Sequence, residues 1–394
     1  VGVPRRRRVP AWLGWVVVVA VLGAIFGVPP LMRVLAAPPI SEEFGIEDAV
    51  VALRLDARGT SYLVLVNEAG QTRSARVDER GFEDARIAWS EAGLSTGDPG
   101  HEYVLAEDGL VEIPLPGAHD GRTEHSRFAT DAGFTVMMSS PQMPEAAFVD
   151  AASGTLTSVD TEYSVPTLAS CDGEVVMVRE AAVETVTPST RDFDGLGLVD
   201  GIESLACDAD RAYGLSELSD RGASRQALRV WDRESGKVGA FEVRYPETVQ
   251  GWRSSSLFVR EGRLFWTVDW QLWSVRPPVS GGRDPGAEGA LPVLEAAPVA
   301  DLSDRIGGFQ TVVGTDEGIL APASGRVYGV AVDEEWVKRF KGASYDRLDG
   351  VAIFSVDATT GERRVEIEVG DIDFPRRDIR VSTIAVDPEW AAGR

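Results

Sequence analysis

The sequence predicts an all-β fold, a seven-bladed β-propeller, carried behind one N-terminal transmembrane helix. Three observations lead there. First, one pattern occurs three times: AAFVDAASGTLTSV around Asp150, LRVWDRESGKVGAFEV around Asp232 and AIFSVDATTGERRVEIEV around Asp357. Each is an apolar strand, then D-x-x-[ST]-G, then a second alternating strand. The Asp side chain caps the turn and the Gly accepts positive φ, so the chain reverses tightly. Second, the three Asp are spaced by 82 and 125 residues, two and three times a period of about 40, as expected of a blade of four short strands. Third, no long helical periodicity interrupts the pattern, and the 44% apolar content supports a packed core.

The N-terminal element comes first. Arg5 to Arg8 precede an uncharged apolar run from Val9 to Val28. At 1.5 Å per helical residue, such a run spans most of a hydrocarbon core of about 30 Å. A cleavable signal has a shorter apolar region, about 7–15 residues, followed by a small-residue cleavage site. Here Pro29, Pro30 and Arg33 intervene before Val34 and Ala36, the nearest such site. An uncleaved anchor is the expectation, with cleavage and secretion as the alternative. The arginines place residues 1–8 in the cytoplasm, 9–28 in the membrane, and a 29–47 linker and everything beyond it outside. A tail of eight residues is expected to hold no cytoplasmic output domain.

Charge narrows the partners. The whole chain carries −23, and the five arginines of residues 1–40 meet no acid, which leaves −28 on the rest. That field disfavours nucleic acid and anionic lipid, and leaves a protein, a small ligand or a glycan as the expected partner. Cys171 and Cys207 lie 36 residues apart in what is read as an oxidising compartment, where a disulfide is allowed; two buried thiols are the alternative.

The blades follow in order as 49–77, 84–116, 126–160, 165–200, 202–243, 252–297 and 308–369. Weaker hairpin marks at Asn67–Gly70, Asp108-Gly109 and Asp194-Gly195 support the series. One strand is left over, in DIRVSTIAVDPEW from 378. It is expected to close the ring beside residues 49–77, so that the propeller runs from 48 to 390. Six or eight blades fit the irregular sixth and seventh repeats, and a pair of β-sandwiches is the structural rival.

The D-x-x-[ST]-G hairpins at Asp150–Gly154, Asp232–Gly236 and Asp357–Gly361 resemble the repeats of the quinoprotein-like (PQQ-type) bacterial extracytoplasmic propellers. In that family a Trp follows the Gly and docks between blades. Here those places hold Leu156-Thr157-Ser158, Val238-Gly239-Ala240 and Arg363-Arg364-Val365, so the resemblance implies the fold and no quinone.

The stretches that suggest chemistry each have a plainer role. GLSTG (93–97) matches G-x-S-x-G, but a nucleophile elbow needs a helix after the serine, and GDPG follows instead. His119 and His125, with Asp120 and Glu124, fall short of the convergent ligands zinc requires, and read as a polar connection. Asp192, Asp194 and Asp200 do not complete a calcium loop, because Leu196 occupies the fifth position. No metal or cofactor is expected, and calcium is the cation the acidic turns would suit. Asp172, Asp208 and Asp210 are the catalytic candidates of the enzyme alternative, a hydrolase or lyase acting on glycans or lactones near the central channel. Among the tryptophans of 251–275, Trp266 is expected between blades, while Trp270 and Trp273 are the candidates for an exposed aromatic platform. Residues 333–350 form an insertion in which Trp336 and Phe340 share a helical face beside Lys338 and Lys341, a basic spot on an acidic body and the expected docking element. PPVSGGRDPGAEG (277–289) reads as a disordered loop. The leading functional expectation is a membrane-anchored, extracytoplasmic binding or assembly module without catalytic activity.

Overall fold

A computed structural model describes residues 46–57, 61–78, 86–106, 109–115, 122–131, 133–139, 144–150, 153–160, 167–179, 182–187, 189, 202–220, 223–246, 255–268, 271–278, 282–284, 289–302, 309–313, 319–321, 325–333, 351–369 and 379–394. The arginine tail, the apolar run and the linker lie outside these residues. Among the described residues no helix is long and apolar enough to cross a membrane.

The strands fall into seven sheets, antiparallel except for one added strand in blade 5. Blade 1 contains β1 (Ala49–Ala57), β2 (Ser61–Asn67) and β3 (Thr72–Asp78). Blade 2 is β4 (Ala88–Ser90), β5 (Gly93–Gly97), β6 (His101–Ala106) and β7 (Gly109–Pro114). Blade 3 is β8 (Thr123–Thr130), β9 (Gly133–Ser139), β10 (Pro144–Asp150) and β11 (Thr155–Asp160). Blade 4 shows β12 (Leu168–Cys171), β13 (Glu174–Arg179) and β14 (Ala182–Val186). Blade 5 is β15 (Ile202–Cys207), β16 (Arg211–Asp220), β17 (Ala223–Asp232) and β18 (Val238–Arg244). Next along the chain come β19 (Ser255–Arg260), β20 (Arg263–Val268), β21 (Gln271–Val275), β22 (Val293–Glu295) and β23 (Ala297–Asp301). All of these except β22 form blade 6. Blade 7 has β24 (Phe309–Val313), β25 (Ile319–Ala321), β26 (Arg326–Asp333), β27 (Val351–Asp357) and β28 (Arg363–Val369).

The last strand, β29 (Ile379–Val386), joins blade 1 as its inner strand. It pairs antiparallel with β1 from Val51 opposite Val386 to Ala57 opposite Ile379. The inner strands then touch their neighbours in cyclic order: β29, β4, β8, β12, β15, β19, then β25 and β24, and back to β29. The ring is closed, and its seven blades match the expected series closely. Some boundaries differ: β8 begins blade 3 at Thr123, and β23 carries blade 6 on to Asp301. After Val386 the chain leaves the sheet for a short helix, α1 (Pro388–Ala392), because Asp387 accepts from the Glu389 N–H as an N-cap and Pro388 follows it.

The core is not one mass but a series of wedges. Strand alternation gives each central strand two apolar faces, one for each neighbouring blade. In β1, Leu53 and Leu55 pack toward blade 7 with Tyr328, Val330 and Ile353. Ala52, on the other face, packs toward blade 2 with Leu94 and Leu105. Leu264, Trp266 and Val268 of β20 fill the wedge against Tyr213, Leu215 and Phe241 of blade 5.

The D-x-x-[ST]-G turns sit between the third and fourth strands of blades 3, 5 and 7, where Asp150, Asp232 and Asp357 accept from backbone N–H groups of the turn. Asn67 does the same in blade 1. Their glycines have φ of +61°, +68°, +74° and +75°. Three of these turns lean on the preceding blade. Gly361 faces the Val299 carbonyl of blade 6, Gly70 the Glu368 carbonyl of blade 7, and Gly154 the side chain of Val111 in blade 2.

The Pro/Gly-rich stretch differs from the expectation. Its described part lies along the rim of blade 5. Arg283 and Ala240 exchange both backbone hydrogen bonds, at 2.7 and 3.1 Å, and β22 then adds to β18 in parallel as a fifth strand. Gly239 and Gly282 meet closely enough that either would clash if it carried a side chain.

Candidate functional site

Among the described residues, the largest set of buried charged groups converges on blade 2. GLSTG is strand β5 and no elbow; Ser95 and Thr96 point to opposite faces and are fully buried. Each face receives an arginine from a neighbouring blade. On the blade 1 side, Arg54 of β1 donates from Nη1 to Thr96 Oγ1 at 3.0 Å and to the Gly97 carbonyl at 2.5 Å. Thr96 in turn donates to the Arg86 carbonyl at 2.9 Å.

On the blade 3 side, Arg127 of β8 uses all five of its N–H donors. Nη1 donates to Ser95 Oγ at 2.5 Å and Glu102 Oε2 at 2.6 Å. Nη2 donates to Glu102 Oε1 at 3.0 Å and Glu124 Oε2 at 2.8 Å. Nε donates to Glu124 Oε1 at 3.1 Å, and that oxygen also accepts from the Arg86 N–H. The three charged side chains have 0% exposure. A bulge makes the arrangement. Residues three apart on a regular strand face opposite ways, but β8 carries one extra residue, His125, between Glu124 and Ser126. Glu124 and Arg127 therefore share a face. Gly97 leaves room for the fork: a Cβ there would lie 2.6 Å from Glu102 Oε1 and 2.7 Å from Arg127 Nη2.

Burial pushes the Glu102 carboxyl up to about 7, against the pull of Arg127 and with the push of Glu124 and Asp98. Arg127 holds its proton more tightly than usual: the attraction of both glutamates outweighs its own desolvation. Glu124, expected in a solvated connection, is in fact buried in this cluster.

Beside it, Asp98 caps the β5–β6 turn. It accepts from the N–H groups of Gly100 and His101 and from the Tyr103 hydroxyl at 2.6 Å. His101 lies between Asp98 and Glu112, 3.2 Å from each. The β15–β16 turn repeats this device: Asp208 accepts from Asp210 N–H, Arg211 N–H and, at 2.8 Å, the Tyr213 hydroxyl. Burial first, and then Asp208, hold the Tyr213 phenol well above its ordinary range.

Asp172, Asp208 and Asp210 lie at two neighbouring turns in capping and bridging positions. Asp172 is exposed with φ +49° at the β12–β13 turn. Arg233 joins both turns, donating to the Asp208 carbonyl at 3.1 Å and lying 3.8 Å from Asp172. A disulfide joins Cys171 and Cys207 at the ends of β12 and β15, with Cα atoms 5.6 Å apart, so it links the inner strands of blades 4 and 5. Among the described residues, no three His, Cys, Asp or Glu converge to hold a metal.

Trp273 corrects the expectation of an exposed platform. It is 3% exposed, stacks edge-on to Tyr245 and donates to the Val268 carbonyl. Its alternation partner Val275 packs in the same wedge, so the ring is core. Trp270, Trp336, Lys338, Phe340 and Lys341 lie outside the described residues. Sequence reasoning missed Arg54, Glu102, Glu124 and Arg127. The one visible signal was an arginine at an inward position of an alternating apolar strand, as in ALRLDA.

Neither a protein-family model nor a curated protein sequence matches the chain. Among solved structures it is similar to AztD from Citrobacter koseri, at 13% identity over 86% of this chain and 98% of that one, with a TM-score of 0.40. It is similar to a putative TolB from Agrobacterium tumefaciens, at 9% identity over 86% and 98%, with a TM-score of 0.38. It is also similar to a hypothetical selenium-binding protein from Sulfolobus tokodaii, at 9% identity over 89% and 94%, with a TM-score of 0.43. These likenesses extend to no residue's role and no ligand. The strand pairing itself makes the chain a seven-bladed β-propeller, closed by its last strand.

Proposed function

We propose that the protein is an extracytoplasmic binding or assembly module, held at the membrane by residues 9–28 and acting without catalysis. The observation that carries this reading is how the acids are used. Asp208 is occupied by two N–H groups and a phenol, and Glu102 and Glu124 are sealed on Arg127 between blades. The charged groups therefore hold the ring together, and its turns and insertions are what a partner meets. The Cys171–Cys207 bridge suits an oxidising compartment.

The docking element in this reading is the 333–350 insertion with Trp336, Lys338, Phe340 and Lys341. It leaves and re-enters blade 7 at the paired ends of β26 and β27, where Val332 lies opposite Val351. The full-length chain is expected to fractionate with membranes under alkaline extraction and to be cut by protease added outside the cell. A photo-crosslinker at position 338 is expected to capture a protein partner, and scrambling 336–341 to abolish the adduct. Turnover of a glycan or lactone that is lost in Asp208→Asn or Asp210→Asn would overturn the reading in favour of an enzyme.

A further inference from the structure

We infer that the wedge between blades 2 and 3 is a proton-operated joint, in which Glu102, sealed beside Glu124 on one guanidinium, takes up one proton and releases one arm of the Arg127 fork. The geometry carries the inference. Two carboxylates share one guanidinium with no exposure to water, and every N–H of that guanidinium already has its acceptor. The triad thus holds one negative charge in excess where charge is poorly solvated, and a proton from solvent removes the excess. The proton binds a carboxylate oxygen that until then accepted from Arg127. That oxygen becomes a donor, and its bond from the guanidinium is lost. Blades 2 and 3 then share one hydrogen bond fewer and no unbalanced charge.

The surrounding groups are few. From blade 2 itself, Asp98 faces Glu102, and His101 stands behind it between Asp98 and Glu112. From blade 3 come Arg127 and Glu124, with Arg122 donating to the Pro99 carbonyl at 3.1 Å. Arg86 contributes its N–H to Glu124, and from blade 1 Arg54 reaches the Gly97 carbonyl.

The sign follows from Glu102 being raised from 4.5 to about 7. A carboxyl raised in the folded state gives stability that is fully present below its unfolded value, and loses it as pH rises through the folded value. The folded ring is therefore more stable in mildly acidic surroundings than at alkaline pH, because relief of the excess charge outweighs the one hydrogen bond given up.

The test is urea unfolding of the full-length protein in detergent at about pH 5 and about pH 8, beside Glu102→Gln. In the wild type the unfolding constant is expected to rise by roughly a hundredfold more between these values than in the variant. Parallel profiles would overturn the inference. A second measurement needs no variant: infrared difference spectra of the wild type are expected to show the stretch of a protonated, buried carboxylic acid growing in between alkaline and mildly acidic pH. Absence of that band would equally overturn it.

Discussion

Arg127 has a separate acceptor for each of its five N–H groups, and that is why it cannot be exchanged for another cation. Removing it strands two carboxylates in a dry wedge. Arg127→Ala is expected to cost about 3–5 kcal/mol in urea unfolding, the range for breaking a buried ion pair. Arg127→Lys should fall nearly as far, since three donors cannot serve four carboxylate oxygens and a hydroxyl. Replacing Arg127, Glu102 and Glu124 together with apolar residues of similar size should recover most of the loss. The cluster was barely legible beforehand. An alternating pattern places Glu124 and Arg127 on opposite faces, and the bulge at His125 that reunites them leaves no mark in composition or spacing. Ser95 was legible only in the negative sense, as a serine whose flanks could not form an elbow.

The informative elements are the hairpins between third and fourth strands. Their Asp–Gly chemistry was readable because it is local: an acid that caps and a glycine that turns. Their second role was not, because contact with the preceding blade depends on ring geometry. Gly361→Ala would bring a Cβ to 2.5 Å from the Val299 carbonyl at a φ of +74°, whereas at Gly154 the Val111 side chain is 3.7 Å away. Both substitutions carry a left-handed backbone penalty of about 1 kcal/mol. Gly361→Ala is expected to show clearly the larger drop in denaturant midpoint. Hydrogen bonding from Ser235 holds Asp232 below the ordinary carboxylate range; at Asp357 the Thr360 and Thr359 N–H groups do so against partial burial. Their contribution is present above that range and is lost as pH falls through the lowered values, the opposite sense to Glu102. The parallel addition of β22 to blade 5 escaped the sequence reading, since three residues after a Pro/Gly-rich stretch carry no strand periodicity of their own.

For the molecule as a whole, blade number and closure were legible from period and from one strand left over, because a repeat that must bury two faces has few ways to end. The partition of side chains among seven wedges was not, as Trp273 shows. Removing residues 379–394 deletes the inner strand of blade 1 and the α1 contacts, including Trp390 and Arg394 on Glu68 at 2.7 Å each. The truncated chain is expected to lose cooperative unfolding by circular dichroism. Reducing the Cys171–Cys207 bridge, with its sequence separation of 36, is expected to lower stability by about 3–4 kcal/mol while leaving the ring closed.

The covalent link lies across the circle from the seam, which runs inside blade 1 between the first strand and the last. Pulled at its two ends, such a chain parts at the seam and swings open like a bracelet on its hinge. Two arcs, one of blades 1 to 4 and one of blades 5 to 7, stay riveted side by side, ready to clasp again.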